Sequence, residues 1–136
     1  MKITEPKWSP YSAEANQAAL DNPQVGDYWS EHFCPYFIVV AVRDEKITVL
    51  SCLGGPQSFT RKDEPNAKLD NKDGTWSFDY SRHMVVDHAW MSKAVKYSTN
   101  DGFCAIVSRG KMMACVEEWR QFHRDRLTKE LEELGV

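Results

Sequence analysis

The apolar positions of this chain run in strand-like blocks up to about residue 110 and take helical spacing after it. Tyr36 to Val42 (Tyr-Phe-Ile-Val-Val-Ala-Val) is a short, β-branched block bounded by Pro35 and by charge, and it predicts the strongest strand. Arg43-Asp44-Glu45-Lys46 makes a polar turn. Ile47 to Cys52 then returns with partial alternation, so the two blocks predict a hairpin. Gly54-Gly55-Pro56 predicts the end of that strand. Upstream, Ser12 is placed to cap a short helix over 13–20. Asn22-Pro23 ends it, because proline disfavours helical backbone at the residue before it. Val25 to Trp29 opens the sheet, and the polar residues 57–74 read as a long loop.

Farther along, Trp76, Phe78 and Tyr80 share one face of a strand that Met84 to Val86 continue. Asp87 is placed to cap a helical turn carrying Ala89, Trp90 and Met91. Val95 to Thr99 and Phe103 to Ser108 flank Asn100-Asp101-Gly102, whose residues tolerate positive φ, and this predicts a second hairpin. A last helix runs from Met112 to about Leu134, stopped by Gly135. The order of elements predicts one α+β domain: a small antiparallel sheet packed against one long C-terminal amphipathic helix. Residues 1–24 form an extension with a short helix, 25–108 the β core and 111–134 the helix.

Composition narrows this picture. The 136 residues suit one domain, and the 42% hydrophobic and 27% charged shares are those of an ordinary globular chain. A net charge of −3 argues against a protein built mainly to grip phosphate backbones. No apolar stretch approaches the ~20 residues of a membrane span. Met1 to Pro6 has no apolar core of the kind a signal peptide needs. Cys34, Cys52, Cys104 and Cys115 form no C-x-x-C pair, and three of them lie in apolar runs, so they read as reduced core thiols. The expectation is a cytoplasmic protein with no membrane partner and no cofactor.

The terminal helix carries the most chemistry. Met112, Cys115, Val116, Trp119 and Phe122 share an apolar arc, and Leu127, Leu131 and Leu134 continue it with a rotation about the axis. His123, Arg126 and Glu130 fall inside the same arc, while Arg120 and Arg124 lie along its edge. One reading is that the second half projects past the sheet, so that Trp119, Phe122, Leu127, Leu131 and Leu134 form a homodimer interface. The other is that Arg120 and Arg124, with His123, line an anion pocket, since two guanidiniums one turn apart can fork onto a phosphate. Trp29, Trp76 and Tyr80 have polar neighbours in sequence and are expected to be partly exposed, placed to stack on a base. His83, Asp87 and His88 supply residue types that suit zinc or manganese, at a spacing that matches no ligand motif. No nucleophile elbow and no Gly-Lys-Ser/Thr phosphate loop is present.

Val25-Gly26-Asp27-Tyr28-Trp29, followed by pairs of short strands, resembles the opening of small SH3-like barrels of the Tudor or KOW type over residues 25–108. The resemblance implies a partly open barrel that binds a peptide, a nucleic acid or a modified residue at aromatic-lined loops. The long loop at 57–74 departs from the compact form. The general texture also looks like small accessory proteins of bacterial viruses, which would place the chain in a host cytoplasm. Arg120-x-x-x-Arg124 is similar to the arginine pairs of viral anti-defence sponges that sequester cyclic nucleotides. The expected function is therefore stoichiometric, non-catalytic binding of a protein or nucleic-acid target. The alternatives are a nucleotide binder built on Arg120 and Arg124, and a metal-dependent hydrolase built on His83, Asp87 and His88.

Overall fold

In the computed structural model the described residues are 2–3, 13–31, 34–55, 69–70, 76–100 and 104–136. In chain order they form β1 (Lys2–Ile3), α1 (Ala13–Asp21), β2 (Tyr28–Glu31), β3 (Cys34–Arg43), β4 (Lys46–Gly55), β5 (Leu69–Asp70), β6 (Trp76–Val86), α2 (His88–Asn100), β7 (Cys104–Ser108) and α3 (Met113–Glu133). The strands make an open sheet in the order β1-β6-β4-β3-β2-β7, with β5 added to β4. Every pair is antiparallel except β4–β5. The fold is α+β, and α3 packs on the sheet as expected.

The sheet is covered on both faces, which explains the unbroken apolar run of β3. Successive side chains of a strand point to opposite faces. Ile38 and Val40 enter one core with Tyr28, Leu50, Phe78 and the α3 residues Cys115 and Val116. Phe37 and Val39 enter the other with Trp29, Ile47 and Val49, closed by Ala19 and Leu20 of α1 and by Met91 and Val95 of α2. All four residues from Phe37 to Val40 have no exposed surface. A strand buried on one side only would have alternated with polar residues.

Several local expectations hold for physical reasons that the structure makes visible. The β3–β4 turn is Asp44-Glu45, with Asp44 at φ 56°, a left-handed conformation that Asp tolerates better than most residues. Asp87 Oδ1 accepts from the backbone N–H of Trp90 at 2.8 Å and so caps α2. Helix α3 ends in a Schellman arrangement: Val136 N–H donates to Leu131 O and Gly135 N–H to Glu132 O, with Gly135 at φ 78°.

Other expectations are corrected. Residues 95–99 are not a hairpin strand but the second half of α2, and β7 pairs instead with β2, placing Ile106 opposite Trp29. Met91 and Val95 are one turn apart, so the helix sets both against the sheet, and that burial overrides the β-propensity of Val-Lys-Tyr-Ser-Thr. Strand β4 continues through Gly54 and Gly55 rather than stopping before them. Ser12 and most of the 57–74 loop lie outside the described residues. No helix among the described residues is long and apolar enough to cross a membrane.

Candidate functional site

The entrance to α3 is fixed by a buried carboxylate. Asp27 has no exposed surface. Its Oδ1 accepts from Arg109 Nε at 3.0 Å and from Gly110 N–H at 2.9 Å, and its Oδ2 accepts from Gln24 N–H at 2.9 Å. Arg109 also donates through Nη2 to the Asn22 carbonyl. Met112 N–H donates to Gly26 O at 3.0 Å, so the loop before β2 and the loop before α3 are tied side by side. Gly26 sits at φ 91°, and a Cβ there would lie 3.0 Å from the Gly110 carbonyl carbon. Only glycine fits that approach. No sequence pattern at Asp27 or Arg109 announces this pairing, because the two residues are 82 positions apart.

From that anchor α3 lies across one face of the sheet for about three turns, and the aromatic and imidazole side chains gather there. Tyr80 and His83 come from β6; Trp119, Phe122 and His123 come from α3. The Tyr80 and Phe122 rings are 6.2 Å apart. His83 meets Trp119 edge to face at 5.5 Å and His123 at 4.9 Å. The Trp119 indole N–H donates to His83 Nδ1 at 3.4 Å, so that nitrogen carries no proton. His123 Nε2 lies 2.9 Å from the Tyr80 carbonyl, which can only accept, so Nε2 carries the proton. Tyr80 O–H donates to Glu118 Oε2. Partial burial, and then that bond, push the Tyr80 phenol well above its ordinary value, and the same bond holds the Glu118 carboxyl below the usual range. Partial burial first, and then its neighbours His123 and Arg126, push the His83 imidazole down.

Beyond His123 the helix leaves the sheet. Of α3's residues only Cys115 and Val116 are buried. Phe122, Leu127, Leu131 and Leu134 are 37%, 57%, 41% and 75% exposed. The positions that would extend the sheet-facing stripe are Arg126 and Glu130, and they pair with each other at 3.5 Å. At 1.5 Å per residue, 124–134 projects by about 16 Å.

The remaining candidates are placed as follows. Arg120 is ion-paired with Glu117 of its own helix at 2.6 Å, and Arg124 donates to Gln121 at 3.1 Å. The expected partial exposure of Trp29 is corrected: its ring has no exposed surface and stacks on Phe37 at 5.9 Å, so it belongs to the core and faces no ligand. The backbone of Trp76 is in β6, and its side chain lies outside the described residues. Tyr80 is half-buried at the seam, as its polar neighbours suggested. His83 is separated from Asp87 and His88 by its role at the seam. Asp87 caps α2, and both Asp87 and His88 line a cleft of about 460 Å³ together with Asp44, Glu45 and the apolar Val42 and Ile47. No group of three or more His, Cys, Asp or Glu among the described residues could hold a metal ion.

The arrangement brings together five of the residues marked in sequence, Tyr80, His83, Trp119, Phe122 and His123, with His83 joining the seam rather than Asp87 and His88. Comparisons with family models, curated proteins and solved structures found no match to this chain.

Proposed function

We propose that this chain is a non-catalytic binding protein that acts by stoichiometric contact, with the projecting half of α3 as its docking element and a second copy of the chain as the occupant. The observation that carries the reading is the ridge of Leu127, Leu131 and Leu134, open to solvent where α3 has passed the sheet. Three leucines at i, i+4 and i+7 form the seam that a second helix fills. Charge supports the same partner. Arg120, Arg124 and Arg126, with Asp125 among them, precede the ridge, and Glu130, Glu132 and Glu133 crowd its end. An antiparallel second copy sets the basic half of each helix against the acidic half of the other. Trp119 and Phe122 then lie at the margin of the contact, between the sheet and the partner helix.

Light scattering on a sizing column tests this. The expected result is twice the chain mass of 15.7 kDa at micromolar concentration. The Leu127→Ser, Leu131→Ser variant is expected at the monomer mass with an unchanged far-ultraviolet spectrum. A wild-type chain that stays monomeric at high micromolar concentration overturns the proposal.

A further inference from the structure

We propose that His83, packed against Trp119 and His123, is a pH-sensitive latch that holds the middle of α3 on β6 when neutral and releases it when protonated. The geometry is specific to the neutral state. His83 Nδ1 accepts the Trp119 indole N–H, and a protonated Nδ1 becomes a second donor facing that donor. The His123 ring lies 4.9 Å from His83, and Arg126 stands one turn farther along the same helix. Charging His83 therefore adds a cation to a stretch of the seam that already carries Arg126.

The groups that face His83 can be named element by element. From α3 they are Trp119, His123 and Arg126, with Glu130 already committed to Arg126. From its own strand, the Tyr80 backbone carbonyl serves both His123 and His83, where it opposes the lowering, and the Tyr80 hydroxyl donates to Glu118. On β4 the residue opposite is Leu50, which carries no charge. Glu118 is the only carboxylate tied to this cluster among the described residues, and it is bonded to Tyr80 rather than to either imidazole. Among the described residues, none of the groups that shift His83 is a carboxylate. The direction follows from linkage. The His83 pKa is lowered in the folded chain, so its contribution to docking is complete above the ordinary value of 6.5 and is lost as pH falls through the folded value. Cys115 and Val116 lie about one turn before Trp119 and stay buried, so the release hinges near Trp119 and leaves the start of α3 in place.

The test is an NMR titration of the Leu127→Ser, Leu131→Ser chain, which removes self-association and makes the result independent of the docking proposal. Cross-peaks between the Trp119 indole and His83 are followed from about pH 7.5 to about pH 5, spanning the ordinary imidazole range. The expected result is loss of those cross-peaks in a transition centred below pH 6.5 while helical content stays constant. The same titration of a chain that also carries His83→Gln is expected to keep the contact throughout, because a Gln side-chain oxygen accepts the indole N–H and takes up no proton in this range. Contacts that persist at pH 5 in the His83 chain, or a transition that survives His83→Gln, overturn the latch. The first outcome needs no variant at His83 and so does not depend on that substitution being tolerated.

Discussion

Replacing Asp27 by alanine is the sharpest test of how α3 is held. The carboxylate is wholly buried and accepts from Gln24 N–H, Gly110 N–H and Arg109 Nε, each at 2.9–3.0 Å. Alanine leaves the two backbone donors without an acceptor, at roughly 1–3 kcal/mol each. Arg109 loses its counter-charge, but its side chain is 31% exposed and regains water, so it adds little. The sum is about 4 kcal/mol, within the ~3–5 kcal/mol expected when one partner of a buried ion pair is removed. That is a large share of the ~5–15 kcal/mol that holds a typical domain together. Urea unfolding followed by tryptophan fluorescence reads it as a midpoint lower by about 2 M, for a slope near 2 kcal/mol per molar. Asp27→Asn is expected to cost about half as much, since the amide keeps one oxygen but turns an N–H₂ toward the remaining donor. The exposed pair Arg126–Glu130, with both side chains 58% accessible, is the control: Arg126→Ala should cost less than about 0.5 kcal/mol. A loss in Asp27→Ala no larger than that of the control would refute the claim that this carboxylate fastens the helix.

Four further outcomes follow from the same structure. Gly26→Ala is expected to destabilise by about 2 kcal/mol, because φ 91° and the Gly110 backbone oppose a Cβ together; Gly110→Ala, whose nearest neighbour would be 3.7 Å away, should cost about 1 kcal/mol in the same unfolding assay. Asp87→Ala removes the cap of α2 and should lower stability by about 1 kcal/mol, with the loss of helical signal confined to 88–100 by hydrogen exchange. Glu118 has a lowered pKa in the folded chain, so its contribution is present above its ordinary value of 4.5 and is lost as pH falls below it; Tyr80→Phe should therefore differ from wild type by a constant amount at neutral pH and by progressively less in acid. Cys115 is buried and its thiol pKa is raised by that burial, so peptide mapping should find it slow to alkylate in the native chain and faster in Asp27→Ala, where the start of α3 is loosened.

The elements whose pattern is set locally were the legible ones. Helix α1 ends beside Asn22-Pro23, the β3–β4 hairpin closes on Asp44-Glu45, and α3 ends at Gly135, each through backbone chemistry written in consecutive residues. What escaped depends on what a segment is pressed against. Residues 95–99 look like a strand in isolation, and become helix because Met91 and Val95 then share the face that closes the second core. The unbroken Phe37–Val40 run carried the signal of a sheet covered on both faces, yet α1 and α2, which do the covering, are short and weakly patterned. Trp29 was misplaced for the same reason: its neighbours Asp27 and Ser30 are polar but buried, so sequence neighbours misreported its surroundings. Of the site, α3's share was legible because all of it lies on one helix. The approach of His83 to Trp119 and His123 joins β6 to α3 across 36 positions or more, and no local pattern announces it.

The two halves of α3 obey different rules, and the boundary between them is set by the sheet. Up to His123 the inward positions are Cys115, Val116, Trp119 and His123, each in contact with β3, β6 or their neighbours. Past it, the same stripe turns polar at Arg126 and Glu130, and the apolar positions rotate to Leu127, Leu131 and Leu134. A helix that served only this sheet would have no reason to continue: an isolated helical stretch of this length is marginal in water, and the Arg126–Glu130 pair adds only about 0.3–0.5 kcal/mol. The proposed docking accounts for this continuation with a fresh, exposed leucine ridge, while the imidazoles sit at the point where the contact with the sheet ends. On the docking and latch proposals, position along the helix separates the three roles: Asp27 and Arg109 anchor its base, His83 acts at its middle, and the leucines dock at its tip.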